Sequence, residues 1–202
     1  MNQGAESHAF GTFVTTNAEV LIVGTFPTHE RNRAFNFFYP NKSNAFWQIM
    51  GTIYNYTFEN NEGIEAENER KEFVAKRRIG LTDMLAKAIR KKKGSGDEQL
   101  APIELTSILS ILEEFPTIKR IVLTSRSGEI NALSLFKQHL MTNKIPFFYT
   151  NDTKIGKGFF EYSENKINVF VPYSPSPRVL RRFGLAVLAD MYKVSLLDQH
   201  SG

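Results

Sequence analysis

The stretch VLIVGTFPTHERNRAFNFFYPNKSNAFW, which runs from Val20 to Trp47, decides the expected fold. It opens with the apolar run VLIV, which suits a buried strand, and this run stops at the turn GTFPT. Gly24 lets another group approach the backbone closely, and Pro27 has no N–H with which to continue a ladder. After a polar loop, an apolar pattern with helical spacing starts at Phe46. A strand, a turn and a helix in this order are typical of open α/β sheets, which build their sites at the carboxyl ends of the strands.

The rest of the chain alternates apolar runs that suit strands with apolar patterns that suit helices. We expect strands over residues 20–26, 119–124, 145–150, 159–162 and 167–171, and a short strand within residues 79–85 that ends near Thr82 and Asp83. We expect helices over residues 47–56, 60–78, 103–115, 130–141 and 179–197, and an irregular or short helical lead-in over residues 1–19. This alternation predicts a single α/β domain over residues 1–202, a three-layer α/β/α sandwich around a mostly parallel four-stranded sheet.

The composition is that of an ordinary globular protein, but the charge is unevenly distributed. With 202 residues, 42% of them hydrophobic and 23% charged, the chain is long enough to bury a substantial core. The net charge is only +4, yet ten Lys and Arg residues stand against two acidic residues between Arg70 and Lys93. This basic block fits a polyanion-binding surface or, in its helical part, cations that complement the helix dipole. The segment Gly94-Ser95-Gly96-Asp97 that follows it is typical of a flexible surface loop.

Several kinds of chemistry are excluded by residues and patterns that the chain lacks. It has no cysteine, which excludes disulfides, iron–sulfur clusters and cysteine-based zinc sites or nucleophiles. Its four histidines are scattered, and the P-loop, GxGxxG and GxSxG patterns are absent. We therefore expect neither a metal ion nor a cofactor. Because no apolar run approaches ~20 residues and no secretory signal is evident, we also expect a cytoplasmic, nucleoid-associated monomer without a membrane partner.

Polar and aromatic groups follow the ends of the predicted strands. Because the carboxyl ends of parallel strands meet at one edge of a sheet, we expect these groups to line one cleft. They are Gly24-Thr25-Phe26, Asn44 with Phe46, Thr82 with Asp83, Thr124 with Ser125, and the segment from Ser174 to Arg178.

Several of these segments carry a resemblance to a known family. GTFPT followed by FYPNKSNAFW resembles the first motif of the uracil-DNA glycosylase superfamily. It is most similar to the branch of mismatch-specific and hypoxanthine-DNA glycosylases, whose pattern reads G-S-F-P-[SG] followed by F-Y-x-x-P-x-N-x-F-W. The segments IGLTD and GSGD resemble the middle section of that branch, and PYSPSPR, which ends at Arg178, resembles its DNA-intercalating loop. The resemblance covers residues 18–190 in the same order and implies the fold of that superfamily.

The resemblance implies a DNA glycosylase that works without a cofactor. Such an enzyme hydrolyses the N-glycosidic bond of a deaminated or mispaired base, uracil or hypoxanthine, that is flipped out of DNA during base excision repair. Phe46 matches the ring that stacks on the base, and Asn44 matches the amide that holds the attacking water or the base. The main chain of Thr25 and Phe26 would read the edge of the base, in a pocket completed by Gly24 and Thr124.

The same resemblance implies a DNA-binding rim. Arg178 would be the tip of the wedge that enters the duplex, and the neighbouring serine hydroxyls would bind phosphates. Arg181 and Arg182 would lie on the DNA backbone nearby. The predicted DNA-binding residues are Ser174, Pro175, Ser176, Pro177, Arg178, Arg181 and Arg182.

The chain departs from the superfamily pattern in ways that leave other functions open. Many members carry an Asn or Asp at or near the position of Phe26, the hypoxanthine branch favours Asn where this chain has Thr124, and the second motif lacks the His of the uracil-specific enzymes. One alternative is therefore a nucleic-acid-binding protein of the same fold without activity, and another is an enzyme acting on a nucleoside or nucleotide. Ordinary structural roles also stay open: a core position for Phe46, a helix cap for Asn44, and a turn cap or a catalytic base for Asp83.

Overall fold

The computed structural model describes residues 4–91, 96–151 and 154–197, which form two β-sheets and six α-helices. The strands are β1 (Ala5–Ser7), β2 (Val20–Gly24), β3 (Ile79–Asp83), β4 (Leu85–Arg90), β5 (Leu100–Leu105), β6 (Arg120–Leu123), β7 (Phe148–Thr150), β8 (Gly156–Tyr162) and β9 (Asn165–Val171). The helices are α1 (Phe46–Tyr54), α2 (Gly63–Lys76), α3 (Ile108–Glu114), α4 (Ala132–Thr142), α5 (Pro177–Phe183) and α6 (Leu185–Leu197). None of these helices is both long and apolar enough to cross a bilayer.

The larger sheet is mixed and has six strands in the order β3-β2-β6-β9-β8-β7. Its first four strands are mutually parallel, whereas β8 and β7 are antiparallel additions at one side. The predicted α/β class is confirmed, but the predicted four-stranded sheet is wrong. The extra strands arise because β8 turns directly into β9 through Ser163 and Glu164, whose φ angles of 47° and 64° suit a tight hairpin turn.

Helices cover both faces of this sheet, which gives three layers. Along β2, Leu21 and Val23 point to one core, which α3 and α4 complete, whereas Ile22 points to the other core, which α1, α2 and α6 complete. Successive side chains of a strand alternate between its faces, so a strand buried on both sides must be apolar throughout. The uninterrupted run VLIV in β2 meets this requirement.

A second, antiparallel sheet has the order β1-β4-β5 and corrects two sequence-based assignments. Residues 5–7 form a strand rather than an irregular lead-in. The short strand expected within residues 79–85 ends at Asp83, which confirms its expected end, and β4 follows it as a separate strand. The predicted helix over 103–115 begins only at Ile108, because Ser107 caps it by accepting a hydrogen bond from the Ser110 N–H.

The predicted C-terminal helix over 179–197 consists of two helices, α5 and α6. They are separated by Gly184, whose φ of 80° is a left-handed conformation that interrupts the helix. Pro177 occupies the first turn of α5, where its missing N–H costs no intrahelical hydrogen bond. The break lets α5 follow the loop before it while α6 packs on α1.

Several cations of the basic block belong to the interior rather than to a surface. The guanidinium of Arg70 lies over the rings of Phe35, Trp47 and Phe58. Arg90 is only 2% exposed and donates hydrogen bonds to Glu6 and to the carbonyl of Pro27. The block is thus not the continuous polyanion-binding surface that its sequence suggested. Lys92 and Lys93 lie outside the described residues.

Candidate active site

A cavity of about 1030 Å³ opens at the carboxyl ends of the parallel strands. All the strand-end segments singled out in the sequence except Thr82 and Phe46 contribute to its lining. The lining includes Gly24, Thr25, Phe26, Asn44, Asp83, Thr124, Ser125, and the segment from Ser174 to Arg178. The cleft expected from strand polarity is therefore present.

The two segments with the strongest family resemblance are hydrogen-bonded to each other. The Ala45 N–H donates to the carbonyl of Pro175 at 2.8 Å. The side-chain oxygen of Asn44 accepts a hydrogen bond of 2.9 Å from the Phe46 N–H at the start of α1. Asn44 also lines the cavity, so its side chain lies between the helix and the site.

Of the two stacked rings of Tyr39 and Phe46, that of Tyr39 belongs to a residue that lines the cavity. Phe46 is fully buried, and Tyr39 stacks on it with ring centroids 3.9 Å apart and an interplanar angle of 20°. Tyr39 lines the cavity, whereas Phe46 does not. The expectation that Phe46 stacks on a base is corrected here, because Phe46 begins a helix whose buried face points into the core and Tyr39 covers its ring.

Tyr39 is held in place by hydrogen bonds and by an unusual backbone conformation. Its φ of 53° lies in the left-handed region, which residues other than glycine adopt uncommonly. Thr124 donates to the Val23 carbonyl at 3.3 Å, so the Tyr39 hydroxyl donates to Thr124 Oγ1 at 3.0 Å. Burial, with a further contribution from the charge of Asp83, raises the pKa of Tyr39 well above its usual value. Tyr39 is thus a neutral hydrogen-bond donor at neutral pH.

The side chains of His8 and Asp83, each 7% exposed, form a pair of which Asp83 lines the cavity. His8 Nε2 lies 2.9 Å from Asp83 Oδ2, and His8 Nδ1 accepts hydrogen bonds from the N–H groups of Phe10 and Gly11. Because Nδ1 accepts, the ring proton is on Nε2 and is donated to Asp83. Asp83 is 5% exposed, and a Cβ added to Gly24 would lie 2.1 Å from its Oδ1. His8 therefore fixes Oδ2 of the carboxylate, and Oδ1 lies against the backbone of Gly24.

A second carboxyl group, that of Asp97, lines the same cavity. Its pKa is raised from 3.8 to about 7, chiefly by burial; a hydrogen bond with Thr25 opposes the shift and the nearby charge of Asp83 adds to it. The Thr25 hydroxyl is also 3.0 Å from Ser125 Oγ, which accepts a hydrogen bond of 2.8 Å from the Ala132 N–H. A chain of hydrogen bonds thus connects the first turn of α4 to Asp97. Asp97 begins a short 3₁₀ turn, Asp97–Gln99, in which no residue is fully buried. Gly94 and Ser95 lie outside the described residues.

Cations and aromatic rings surround the mouth of the cavity. Arg178 and Arg182 on α5 line it, as does Arg126, whose guanidinium lies 4.5 Å from the ring centroid of Tyr173. Arg181 is on the same helix but does not line the cavity. The mouth is therefore flanked by positive charge from two different parts of the chain, a suitable environment for a phosphate backbone.

Sequence reasoning assigned no site role to His8, Tyr39 or Asp97. Tyr39 lies inside the first motif and Asp97 follows the basic block, so their positions in the sequence could have marked both as candidates. The position of His8 gave no such indication, because its partner Asp83 is far away in the sequence. Within the described part of the chain, no three or more His, Asp or Glu side chains form a group that could hold a metal ion. Compared with protein-family models and with curated proteins, the chain matches none of them.

Proposed function

We propose that this chain is a DNA glycosylase of the uracil-DNA glycosylase superfamily, with the fold of that superfamily, and that it hydrolyses the N-glycosidic bond of a deaminated or mispaired base. The observation that carries the proposal is the hydrogen bond between the Ala45 N–H and the Pro175 carbonyl. This bond joins the two motifs that resemble the superfamily into one site. The motifs were identified separately in the sequence, and their convergence on one cavity supports a shared function.

The cavity has the parts needed to hold a flipped nucleobase. An extruded base needs a flat apolar surface and hydrogen-bond donors or acceptors for its edge. Tyr39 supplies an aromatic ring that is supported from behind by Phe46. The side chain of Asn44 and the main chain around Thr25 supply polar groups at the cavity wall. The volume of about 1030 Å³ accommodates a nucleotide with part of the adjoining backbone.

The rim of the cavity suits a bent or opened duplex. The segment from Ser174 to Pro177 is stiffened by two prolines and leads straight into α5, which presents Arg178 and Arg182 at the mouth. Rigid wedges with nearby cations are used to enter a base stack and to bind the flanking phosphates. We assign Arg178 to the wedge, Arg182 to the backbone, and Arg181 to a position farther from the DNA.

The proposal is tested with a panel of duplex and single-stranded oligonucleotides that carry uracil, hypoxanthine, xanthine, or a G:T or G:U pair. Protein in excess over DNA is incubated with each, and abasic product is detected by strand cleavage in alkali. We expect cleavage of at least one damaged or mispaired member and none of the undamaged duplex. Absence of product from every member would refute the glycosylase assignment.

A second candidate function is binding of damaged DNA without catalysis. The observation that favours it is Phe26, which stands where many members of the superfamily carry the Asn or Asp that acts on water. This candidate predicts salt-dependent affinity for the same oligonucleotides and no abasic product. A rise in Tm with free nucleosides, but not with DNA, would instead favour an enzyme that acts on nucleosides.

A further inference from the structure

We propose that two carboxyl groups carry out the reaction in this cavity, with Asp83 accepting a proton from the attacking water and Asp97 donating a proton to the departing base. This assignment rests on the proposed glycosylase function and adds the catalytic residues to it. It places the activation of water on β3 rather than on the first motif. It also explains how a chain with Phe26 in that motif would retain activity.

Asp83 is built to act as a base on water. The paired strands β2 and β3 set Gly24 beside Asp83, and the absence of a side chain at Gly24 leaves room for Oδ1. His8 donates its Nε2–H to Oδ2, and the tautomer of its ring is set by two backbone N–H groups that donate to Nδ1. One oxygen is therefore fixed, and the other lies at the cavity wall beside Gly24. A carboxylate held in one orientation in this way needs no rearrangement to accept a proton.

Asp97 lines the same cavity as Asp83 and is hydrogen-bonded to Thr25 at its wall, which places a second carboxyl group where it can donate a proton. The charged and titratable groups that face it are Asp83, Glu98, Arg90 and the Tyr39 hydroxyl. Burial and the like charge of Asp83 outweigh the hydrogen bond from Thr25, so the pKa of Asp97 is raised to about 7. A carboxylic acid near a second, ionised carboxylate is the arrangement by which two similar groups take opposite roles in glycosidic hydrolysis.

The proposed step is balanced in atoms and charge. The oxygen of water forms a bond to C1′ of the sugar as the bond from C1′ to the base nitrogen breaks, and the bonding electron pair stays on the base. One proton of the water moves to Asp83, and the proton of Asp97 moves to the base. Asp83 ends protonated and Asp97 ends ionised, and exchange with solvent returns both to their starting states. No oxidant, reductant or metal takes part.

His8 is a positioning residue in this scheme, since it contacts Asp83 and not the reacting atoms. Its replacement by Ala would free the Oδ2 atom of Asp83 and misorient the carboxylate. We expect the single-turnover rate to fall while affinity for substrate DNA changes little. The conservative variant His8→Gln, whose amide can donate to the same oxygen, should recover part of the rate.

The test measures single-turnover excision by the full chain, using DNA that carries uracil or 5-fluorouracil, two bases of nearly the same shape. The anion of 5-fluorouracil is the better leaving group and needs less help from an acid. For Asp97→Asn we expect the rate with uracil to fall by about 10²–10⁴-fold, the value of one general acid. The fall with 5-fluorouracil should be clearly smaller. For Asp83→Asn, we expect similar losses with both bases, since the base acts on water.

The pH profile supplies a second readout that a merely structural role would not change. The wild-type rate should decrease as pH rises through about 7, since Asp97 then loses its proton, and Asp97→Asn should remove this decrease. Glu104→Gln, on the exposed strand β5 away from the cavity, is the matched control and should retain the wild-type rate and profile. Each variant is checked for the wild-type Tm and for binding to substrate DNA.

The outcomes separate this inference from the function on which it rests. A wild-type chain that excises no base overturns both. An active wild type whose Asp97→Asn variant keeps the same ratio between the two bases and the same pH profile overturns the acid assignment alone. Retained activity in folded Asp83→Asn overturns the base assignment alone.

Discussion

Asp83 occupies the space that a side chain at Gly24 would need. Its Oδ1 would lie only 2.1 Å from a Cβ at that position, and the Tyr39 hydroxyl would lie 3.1 Å from it. Close packing therefore explains why glycine stands at the end of β2: it leaves room for a carboxylate and a tyrosine hydroxyl from other parts of the chain to meet above the backbone. The relationship connects the start of the first motif to the proposed chemistry.

Gly24→Ala should reduce activity without unfolding the protein. The new methyl group would displace the Asp83 carboxylate, and a misplacement of about 1 Å in a catalytic group costs up to about 10²-fold in rate. Single-turnover excision measures the loss, and the matched control is Gly4→Ala, since nothing lies within 4 Å of a Cβ there. Equal rates for the two variants would contradict the close packing described at Gly24.

Tyr39→Ala should weaken binding of damaged DNA, whereas Tyr39→Phe should not. The aromatic ring supplies stacking worth about 1–3 kcal/mol per base, and Phe retains it. Loss of the hydroxyl removes only the bond to Thr124. Affinity for DNA that carries an excisable base, measured by fluorescence anisotropy, compares the two variants. If both lose the same affinity, the hydroxyl rather than the ring is responsible.

Arg182→Ala and Arg181→Ala should differ although the residues are adjacent. Arg182 lines the mouth of the cavity and Arg181 does not. If Arg182 contacts one phosphate, its removal should lower the slope of log affinity against log salt by about 0.9 for duplex DNA. Arg181→Ala should leave the slope near its wild-type value. The pair is measured by titration at three or more salt concentrations, and indistinguishable slopes would place the DNA elsewhere.

Arg70→Ala should destabilise the fold, in contrast to Lys76→Ala on the same helix. Arg70 is 4% exposed, packs on three aromatic rings and donates to the carbonyls of Asn60 and Ala66. Losing its packing and leaving two carbonyls without their donor should cost about 2–4 kcal/mol of unfolding free energy. The exposed Lys76–Glu72 pair is worth about 0.5 kcal/mol or less. Urea denaturation of both variants measures the difference.

Asp97→Asn should become more stable relative to the wild type as pH rises. The folded-state pKa of Asp97, about 7, is above its ordinary value of 3.8, so the folded protein binds the proton more tightly than the unfolded chain. The contribution of Asp97 to the free energy of unfolding is thus highest below about pH 4 and decreases as the pH rises to about 7. Asparagine cannot ionise and removes that decrease. Tm values of both proteins at pH 5 and pH 8 test it, and a constant difference would contradict the raised pKa.

The main sheet was predictable wherever burial leaves a simple pattern in the sequence. The run VLIV in β2 and the run RIVL in β6 are apolar throughout because helices cover both faces of the sheet. The strand β5 was missed because it lies at the edge of a small sheet. Half of its residues are exposed, and its apolar residues also fit the start of the helix that follows. The break at Gly184 was missed because a single glycine does not always interrupt a helical pattern.

The candidate site divides in the same way. The motif around Gly24, the asparagine at Asn44 and the Ser-Pro loop were recognisable because each is a local sequence pattern at the end of a strand. The sequence did not show that Tyr39 rather than Phe46 lies at the cavity, because both are aromatic residues of one motif. Which of the two lies at the cavity depends on the rotation of α1 against the core and on the backbone conformation at Tyr39.

By itself, the sequence determined the α/β class, the mostly parallel direction of the central strands and the edge of the sheet at which the cavity lies. These follow from apolar periodicity and strand polarity, which are local properties of the chain. Only the tertiary structure decided that His8 would hold Asp83, and that Asp97 would lie beside both Thr25 and Asp83. Such pairings depend on how distant segments pack, and the burial that raises the pKa of Asp97 exists only once the whole cavity has formed.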